Sequence, residues 1–177
     1  AYAEEVLAGR IPAGRWVKLA CERHIRDLKN PALEWREEAA DKAIRFIGGL
    51  RLFEANKLFV LEPWQAFIVG SLFGWYMAGT DLRRFTQAYV ECGRGNGKSP
   101  AAAAIGLYMQ VGLGVNGAQV FSAATTRDQA RIVYRDAQHF VSGEPTLASA
   151  VDSGVTRLLY TKRQATFRPL SAEASKM

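Results

Sequence analysis

The sequence predicts an α/β protein, with a helical N-terminal part followed by a core built on a parallel sheet. Three observations carry this prediction. The first 80 residues repeat apolar side chains at helical spacing, the later residues alternate short β-rich segments with helical ones, and a glycine-rich turn separates the first such strand and helix. We place the boundary near residue 83, giving a helical subdomain at 1–83 and an α/β core at 84–177.

The helices of the first part are predicted from periodicity and stop signals. Apolar residues at i, i+3 and i+4 predict helices over Trp16–Leu28 and Trp35–Ile47, and Gly48-Gly49 ends the second. Residues 50–62 have mixed polarity and are predicted to be a connector. Pro63 favours the first turn of a further helix, which we expect to continue to Gly79.

The second part alternates strands and helices, which is typical of a parallel sheet. Aromatic and β-branched residues predict the strands, and Ala-rich or amphipathic stretches predict the helices. The predicted order is strand Phe85–Glu91, helix Ser99–Val111, strand Ala118–Ala123, helix Thr126–Val141, and a hairpin of Thr156–Tyr160 with Ala165–Leu170.

Composition limits the function classes. The chain of 177 residues is 49% hydrophobic and 23% charged, a globular balance, and its net charge of +6 favours an anionic partner such as nucleic acid or nucleotide. Two distant cysteines, Cys21 and Cys92, exclude a disulfide-dense scaffold and suit a reducing compartment. Cys21 and His24 share a helix face, which fits a metal pair or core packing, and we favour packing. The uncharged run 63–80 has too little apolar content for a membrane span and predicts a buried helix.

The most specific motif is the glycine-rich turn ending in Gly97-Lys98-Ser99, which matches the end of a P-loop. Glycines let backbone N–H groups cradle a β-phosphate, and the next helix offers its positive N-terminus. Lys98 would reach the β- and γ-phosphates, and Ser99 would ligate Mg²⁺. Cys92 stands where the consensus has glycine. The alternative is an ordinary turn with a solvated lysine.

The chain resembles the large terminase subunit of tailed bacteriophages, a family of motors that package DNA. The resemblance rests on four ordered segments of this sequence: residues 14–24 (GRWVKLACERH), residues 61–75 with their Leu-Glu-Pro-Trp-Gln start, residues 93–99 (GRGNGKS), and residues 122–130 (SAATTRDQA). It implies a P-loop ATPase that uses ATP and Mg²⁺ and translocates double-stranded DNA. It also implies a small terminase subunit and a portal protein as partners, a homo-oligomeric ring, and the cytoplasm of the infected host as the location.

The resemblance also implies roles for single residues. Gln65 would read the adenine edge beside Trp64, and its alternative is a polar residue in contact with solvent. Gly93, Gly95 and Asn96 would complete the phosphate loop. Arg94 would stabilise charge on the γ-phosphoryl group, unless it pairs with Glu91.

The residues after the next strand give further candidates. Thr125, Thr126 and Gln129 follow it directly and are placed to sense nucleotide or DNA. A stripe of Arg127, Arg131 and Arg135 could meet DNA phosphate, but Asp128 and Asp136 make an ordinary solvated face the preferred interpretation.

ATP hydrolysis also needs an acidic residue that activates water, and the sequence shows no clear candidate for it. No apolar run ends in Asp-Glu after residue 123, and Asp152 and Glu173 lie in polar surroundings. We therefore expect an ATPase core that is incomplete at its C-terminus, lacks a Walker B strand and nuclease residues, and turns over little ATP alone. Two other functions stay open: a nucleotide-binding regulatory fragment, and a helicase-like DNA motor.

Overall fold

A computed structural model describes residues 1–52 and 57–171, apart from the side chain of Arg127. The chain forms two compact units. The first unit contains Ala1–Arg45 and Leu61–Val90, and the second contains Phe46–Val60 and Glu91–Met177. Both helices and a sheet with a parallel pair are present, so the predicted α/β class is confirmed.

The first unit is mainly helical. Its elements are α1 (Tyr2–Leu7), α2 (Arg15–Asp27), β1 (Leu33–Trp35), α3 (Glu37–Gly48, whose last residues belong to the second unit), α4 (Pro63–Gly74) and β2 (Trp75–Met77). Strands β1 and β2 pair antiparallel, with Trp35 opposite Trp75. The predicted helices at 16–28, 35–47 and from Pro63 are confirmed as α2, α3 and α4. Trp35 itself was predicted to begin a helix, and it lies in β1 instead.

The predicted end of α4 was wrong. Helix α4 ends at Gly74 rather than Gly79, because the next three residues pair with β1. A Cβ atom built on Gly74 would lie 2.7 Å from the Trp35 ring and 2.9 Å from the Ala40 Cβ. Only glycine permits this approach, so tertiary contacts that the periodicity does not show decide where the helix stops.

The second unit contains a mixed sheet with helices packed on it. Its elements are α5 (Lys98–Leu107), a π-helical turn (Tyr108–Gly112), β3 (Gln119–Ala124), α6 (Arg127–Gly143), α7 (Pro145–Ala150), β4 (Val151–Ser153), β5 (Leu158–Tyr160) and β6 (Ala165–Ser171). The strand order is β3-β6-β5-β4. The β3–β6 pair is parallel and the other pairs are antiparallel, so the predicted sheet is only partly parallel. The predicted β5–β6 hairpin is confirmed, whereas α7 and β4 were not predicted.

One predicted strand is absent from the described structure. The segment Phe85–Glu91 has strand-like residues but forms no ladder with any described strand, and Tyr89 is 88% exposed. A β-strand is stabilised by its neighbours rather than by its own propensity, so composition alone predicts too much here. The glycine-rich loop is therefore preceded by irregular chain rather than by a strand.

The core of the second unit joins α5, α6 and the sheet. Helix α6 packs on β3 and β6, where the buried Tyr134 ring meets Phe167 edge to face. Burial raises the pKa of Tyr134 to about 12. The buried Gln110 amide donates to the carbonyl oxygens of Leu158 and Ala165, both at 3.0 Å, and so fastens the β5–β6 hairpin. Among the described residues, no helix combines the length and apolar character that crossing a bilayer requires.

Candidate functional site

The candidate site is the loop that leads into α5. Gly95 has φ +83° and Gly97, the N-cap of α5, has φ +68°. Side chains other than glycine are disfavoured at these angles. The left-handed turns curl the loop so that it ends on the N-terminal turn of a ten-residue helix, whose first N–H groups have no partner within the helix. This is the geometry of an anion-binding cradle.

The side chains of the loop hold it closed. The Lys98 amine donates to the carbonyl oxygens of Cys92 and Gly93, the latter at 2.8 Å. The Asn96 amide donates to the Gly93 carbonyl at 3.2 Å. Lys98 is exposed, so its amine can exchange these carbonyls for phosphate oxygens without unpacking a core. The site uses only the carbonyl of Cys92, which any residue supplies, so the departure from the glycine consensus leaves the loop intact.

Ser99 and Arg94 occupy different environments in the same segment. Ser99 is half-buried in the first turn of α5, followed by Pro100, which is tolerated there because no helical N–H bond is lost. Arg94 is exposed in the loop. Its contact with the γ-phosphoryl group stays a prediction.

Thr125 and Gln129 meet at the carboxyl end of β3. The Thr125 hydroxyl donates to the Gln129 side-chain oxygen at 3.1 Å, and the Thr126 hydroxyl caps α6 by accepting from the Gln129 backbone N–H at 3.3 Å. Ligands of α/β proteins bind at such strand ends. All three residues are exposed, so the structure brings together the sensing residues that the sequence proposed, without testing that role.

Trp64 and Gln65 lie at the start of α4, in the first unit. Gln65 is only 6% exposed, and its side-chain oxygen accepts from the Glu62 backbone N–H at 2.9 Å. The alternative of a solvent-contacting glutamine was therefore wrong, because the side chain closes a capping box that sequence reasoning missed. The sequence signal for this capping box is a glutamine three residues after Glu62, just before an apolar run. Contact with adenine stays a prediction.

The remaining candidates are not gathered into a described site. Arg131 is half-buried and Arg135 exposed on α6, and Asp152 is exposed on the edge strand β4. Glu173 lies outside the described residues. Cys21 packs against Ala3 and Val6, as predicted. No group of three or more metal-ligating His, Cys, Asp or Glu side chains occurs in the part of the chain that the structure describes.

A left-handed glycine loop that leads into a helix beginning Lys-Ser is the arrangement typical of P-loop nucleoside-triphosphatases. Residues 63–175 match the model of one particular family of such proteins, the terminase large subunit, ATPase domain. That match covers more than half of the chain, and the chain therefore belongs to this family. The resemblance carried by the four sequence segments is confirmed.

A solved structure agrees with the family match. The fold is similar to the crystal structure of the HK97 bacteriophage large terminase, with a TM-score of 0.67 and 25% sequence identity. The similarity covers 78% of this chain and 28% of that chain. No curated protein matches the sequence.

Proposed function

We propose that this chain binds and hydrolyses ATP at the Gly93–Ser99 loop and couples hydrolysis to translocation of double-stranded DNA into a viral procapsid. The observation that carries the proposal is the loop itself: two left-handed glycines place Lys98 and Ser99 on the first turn of α5, in a chain of the terminase ATPase family.

The residues present fit ATP with Mg²⁺. The loop offers backbone N–H donors, an exposed ammonium group already turned toward the loop, and a hydroxyl in the first helical turn, which together complement a polyphosphate rather than a bare metal ion. Lys98 would bind the β- and γ-phosphates, and Ser99 would supply one oxygen ligand to Mg²⁺. When bound, the ion would supply positive charge that offsets the negative charge developing on the phosphate oxygens during transfer.

Two groups would act beside this cradle. The exposed Arg94 guanidinium is proposed to stabilise charge on the γ-phosphoryl group, and its rigid fork suits phosphate oxygens. The Thr125–Gln129 hydrogen bond is proposed to report nucleotide state, because a side-chain pair held by one exposed contact rearranges at little energetic cost.

The proposed partners follow from the family. They are double-stranded DNA, a small terminase subunit, a portal protein and further copies of the chain in a ring, in the cytoplasm of an infected bacterium. The net charge of +6 and sequence pI near 9.5 support an anionic partner.

Nucleotide binding is tested by removing the Lys98 amine. Lys98→Ala is expected to weaken Mg·ATP binding by about tenfold or more in titration calorimetry, because a charge-assisted phosphate contact is lost while the glycine turns remain. Lys162→Ala, which removes another exposed lysine of the second unit, is the matched control and should change affinity less than about twofold. Equal affinities for Lys98→Ala and the parent chain would refute the loop assignment.

A further inference from the structure

Helix α2 presents a continuous stripe of exposed, mainly basic side chains. Arg15, Lys18, Leu19, Glu22 and Arg26 follow the spacing i, i+3, i+4, i+7, i+11, which places them on one face. All five are exposed. The opposite face contains the buried Cys21 and the half-buried His24, so packing fixes which way the basic stripe points.

The stripe has an excess of positive charge that its own neighbours do not neutralise. Its three cations face one acid, Glu22. Arg26 reaches the buried Asp27 only at 3.4 Å and keeps 71% of its side chain exposed. Within the described residues, neither Arg15 nor Lys18 forms an ion pair. Arg15 and Lys18 lie three residues apart and repel one another, so an external anion would relieve that repulsion.

An exposed tryptophan flanks the stripe. Trp16 is 76% exposed, and the Arg15 guanidinium lies 5.4 Å from its ring centroid. The stacked pair presents a planar cation beside an indole N–H, both of which donate hydrogen bonds and neither of which accepts them. The donors around α2 thus suit an acceptor-rich surface such as phosphate oxygens.

The length of the stripe distinguishes between two kinds of anionic partner. From Arg15 to Arg26 the helix rises about 16 Å, and one strand of a DNA duplex carries a phosphate about every 3.4 Å along the axis. A regular polyanion therefore meets the whole stripe. A protein interface would need an apolar centre with few charges, whereas Leu19 is the single apolar member here.

We propose that the exposed face of α2 binds the phosphate backbone of duplex DNA, independently of base sequence. The choice of DNA among polyanions rests on the proposed packaging function. The proposed contact uses only residues of the first unit, whereas the Gly93–Ser99 loop belongs to the second unit.

The test measures binding of the 177-residue chain to a fluorescent duplex of about 20 base pairs and mixed sequence by anisotropy. The double variant Arg15→Glu/Lys18→Glu is compared with Lys42→Glu/Arg45→Glu, which makes the same charge change at exposed positions of α3. The α2 variant is expected to bind the duplex about tenfold or more weakly. The slope of log affinity against log salt concentration should also become less negative by about two. The α3 variant should lose less than about threefold in affinity.

Three results would overturn the proposal. Equal losses in the two variants would show that only net charge matters, and an unchanged α2 variant would show that DNA binds elsewhere. Tighter binding of polyglutamate than of the duplex, lost in the α2 variant, would assign the face to an acidic protein. If the charge reversal unfolds the chain, neutral variants replace it. Arg15→Gln/Lys18→Gln should then lower the affinity for the duplex more than Lys42→Gln/Arg45→Gln does.

The nucleotide assignment is checked separately. The α2 variants should bind Mg·ATP like the parent chain, while Lys98→Ala should not. A chain that binds ATP but no duplex refutes this inference alone, and a chain that binds duplex through α2 but no ATP refutes the loop assignment alone.

Discussion

The first unit and the phosphate loop of the second satisfy their polar groups in opposite ways. In the first unit the buried Asp27 pairs with Arg84, and His24 lies among the rings of Trp35, Phe67 and Trp75, with its Nδ1 accepting from the Trp75 indole N–H at 3.1 Å. These partners come from distant parts of the sequence. In the loop, Lys98 and Asn96 bind carbonyls no more than six residues away.

The difference separates residues that hold the fold from residues that are free to act. Long-range buried contacts stabilise the unit, because removing one partner leaves a desolvated group behind. Short-range exposed contacts shape a loop but add little to folding, so their donors can be given to a ligand. Substitutions in the first unit should therefore change stability, and substitutions in the loop should change binding.

The largest expected effect is the loss of the Asp27–Arg84 pair. Asp27 is 3% exposed, so Asp27→Ala leaves the Arg84 guanidinium without its partner and should lower the free energy of unfolding by about 3–5 kcal/mol. Denaturant unfolding measures it. Asp41→Ala, at an exposed position of α3, should change stability by under about 0.5 kcal/mol. If Lys98→Ala destabilises the chain as much as Asp27→Ala does, the contrast between the two regions fails.

A smaller loss is expected where α4 ends. Gly74→Ala forces a Cβ to within 3 Å of the Trp35 ring and Ala40, and the resulting shift should cost about 1–3 kcal/mol. Gly48→Ala is the control, since a Cβ there meets no atom within 4 Å and alanine favours the helix. Thermal unfolding compares the two variants. Equal melting temperatures would mean that the approach of Gly74 to Trp35 is not needed for the fold.

The smallest effect is a dependence of stability on pH at His24. Burial lowers the pKa of His24 below its ordinary 6.5, although Asp27 opposes the shift, so the folded chain binds a proton less readily than the unfolded chain. Stability is therefore full above pH 6.5 and falls as the pH decreases through the lowered pKa. Protonation of Nδ1 also removes the acceptor for Trp75.

Denaturant midpoints at pH 7.5 and 5.5 check this expectation. His24→Gln should flatten the change between the two values, and His139→Gln should preserve it. The opposite result would be a parent chain that becomes more stable at pH 5.5, with the gain lost in His24→Gln. That result would show that folding raises the pKa of His24 rather than lowering it.

Much of the fold was predictable because its signals are local. Helices α2, α3 and α6 have apolar residues at helical spacing, and Thr126 is a good N-cap for α6. The Gly97-Lys98-Ser99 motif predicts both the loop and the start of α5. The wrong predictions concern segments whose secondary structure depends on pairing with a distant strand. Residues 75–77 became a strand because β1 pairs with them, and 85–91 formed no strand because no described strand does. The bond from the Glu62 backbone N–H to the buried Gln65 side chain was also not predicted.

The sequence by itself determined the class of protein, the glycine-rich loop, and helices α5 and α6, which flank β3. Glycine turns, helix caps and apolar periodicity act over a few residues, and local sequence is therefore enough to predict them. Only the tertiary structure decided which strands pair, that the sheet is mixed, and that Asp27 faces Arg84. Those outcomes depend on contacts between residues up to 57 positions apart, whose free energy appears only when the chain is folded.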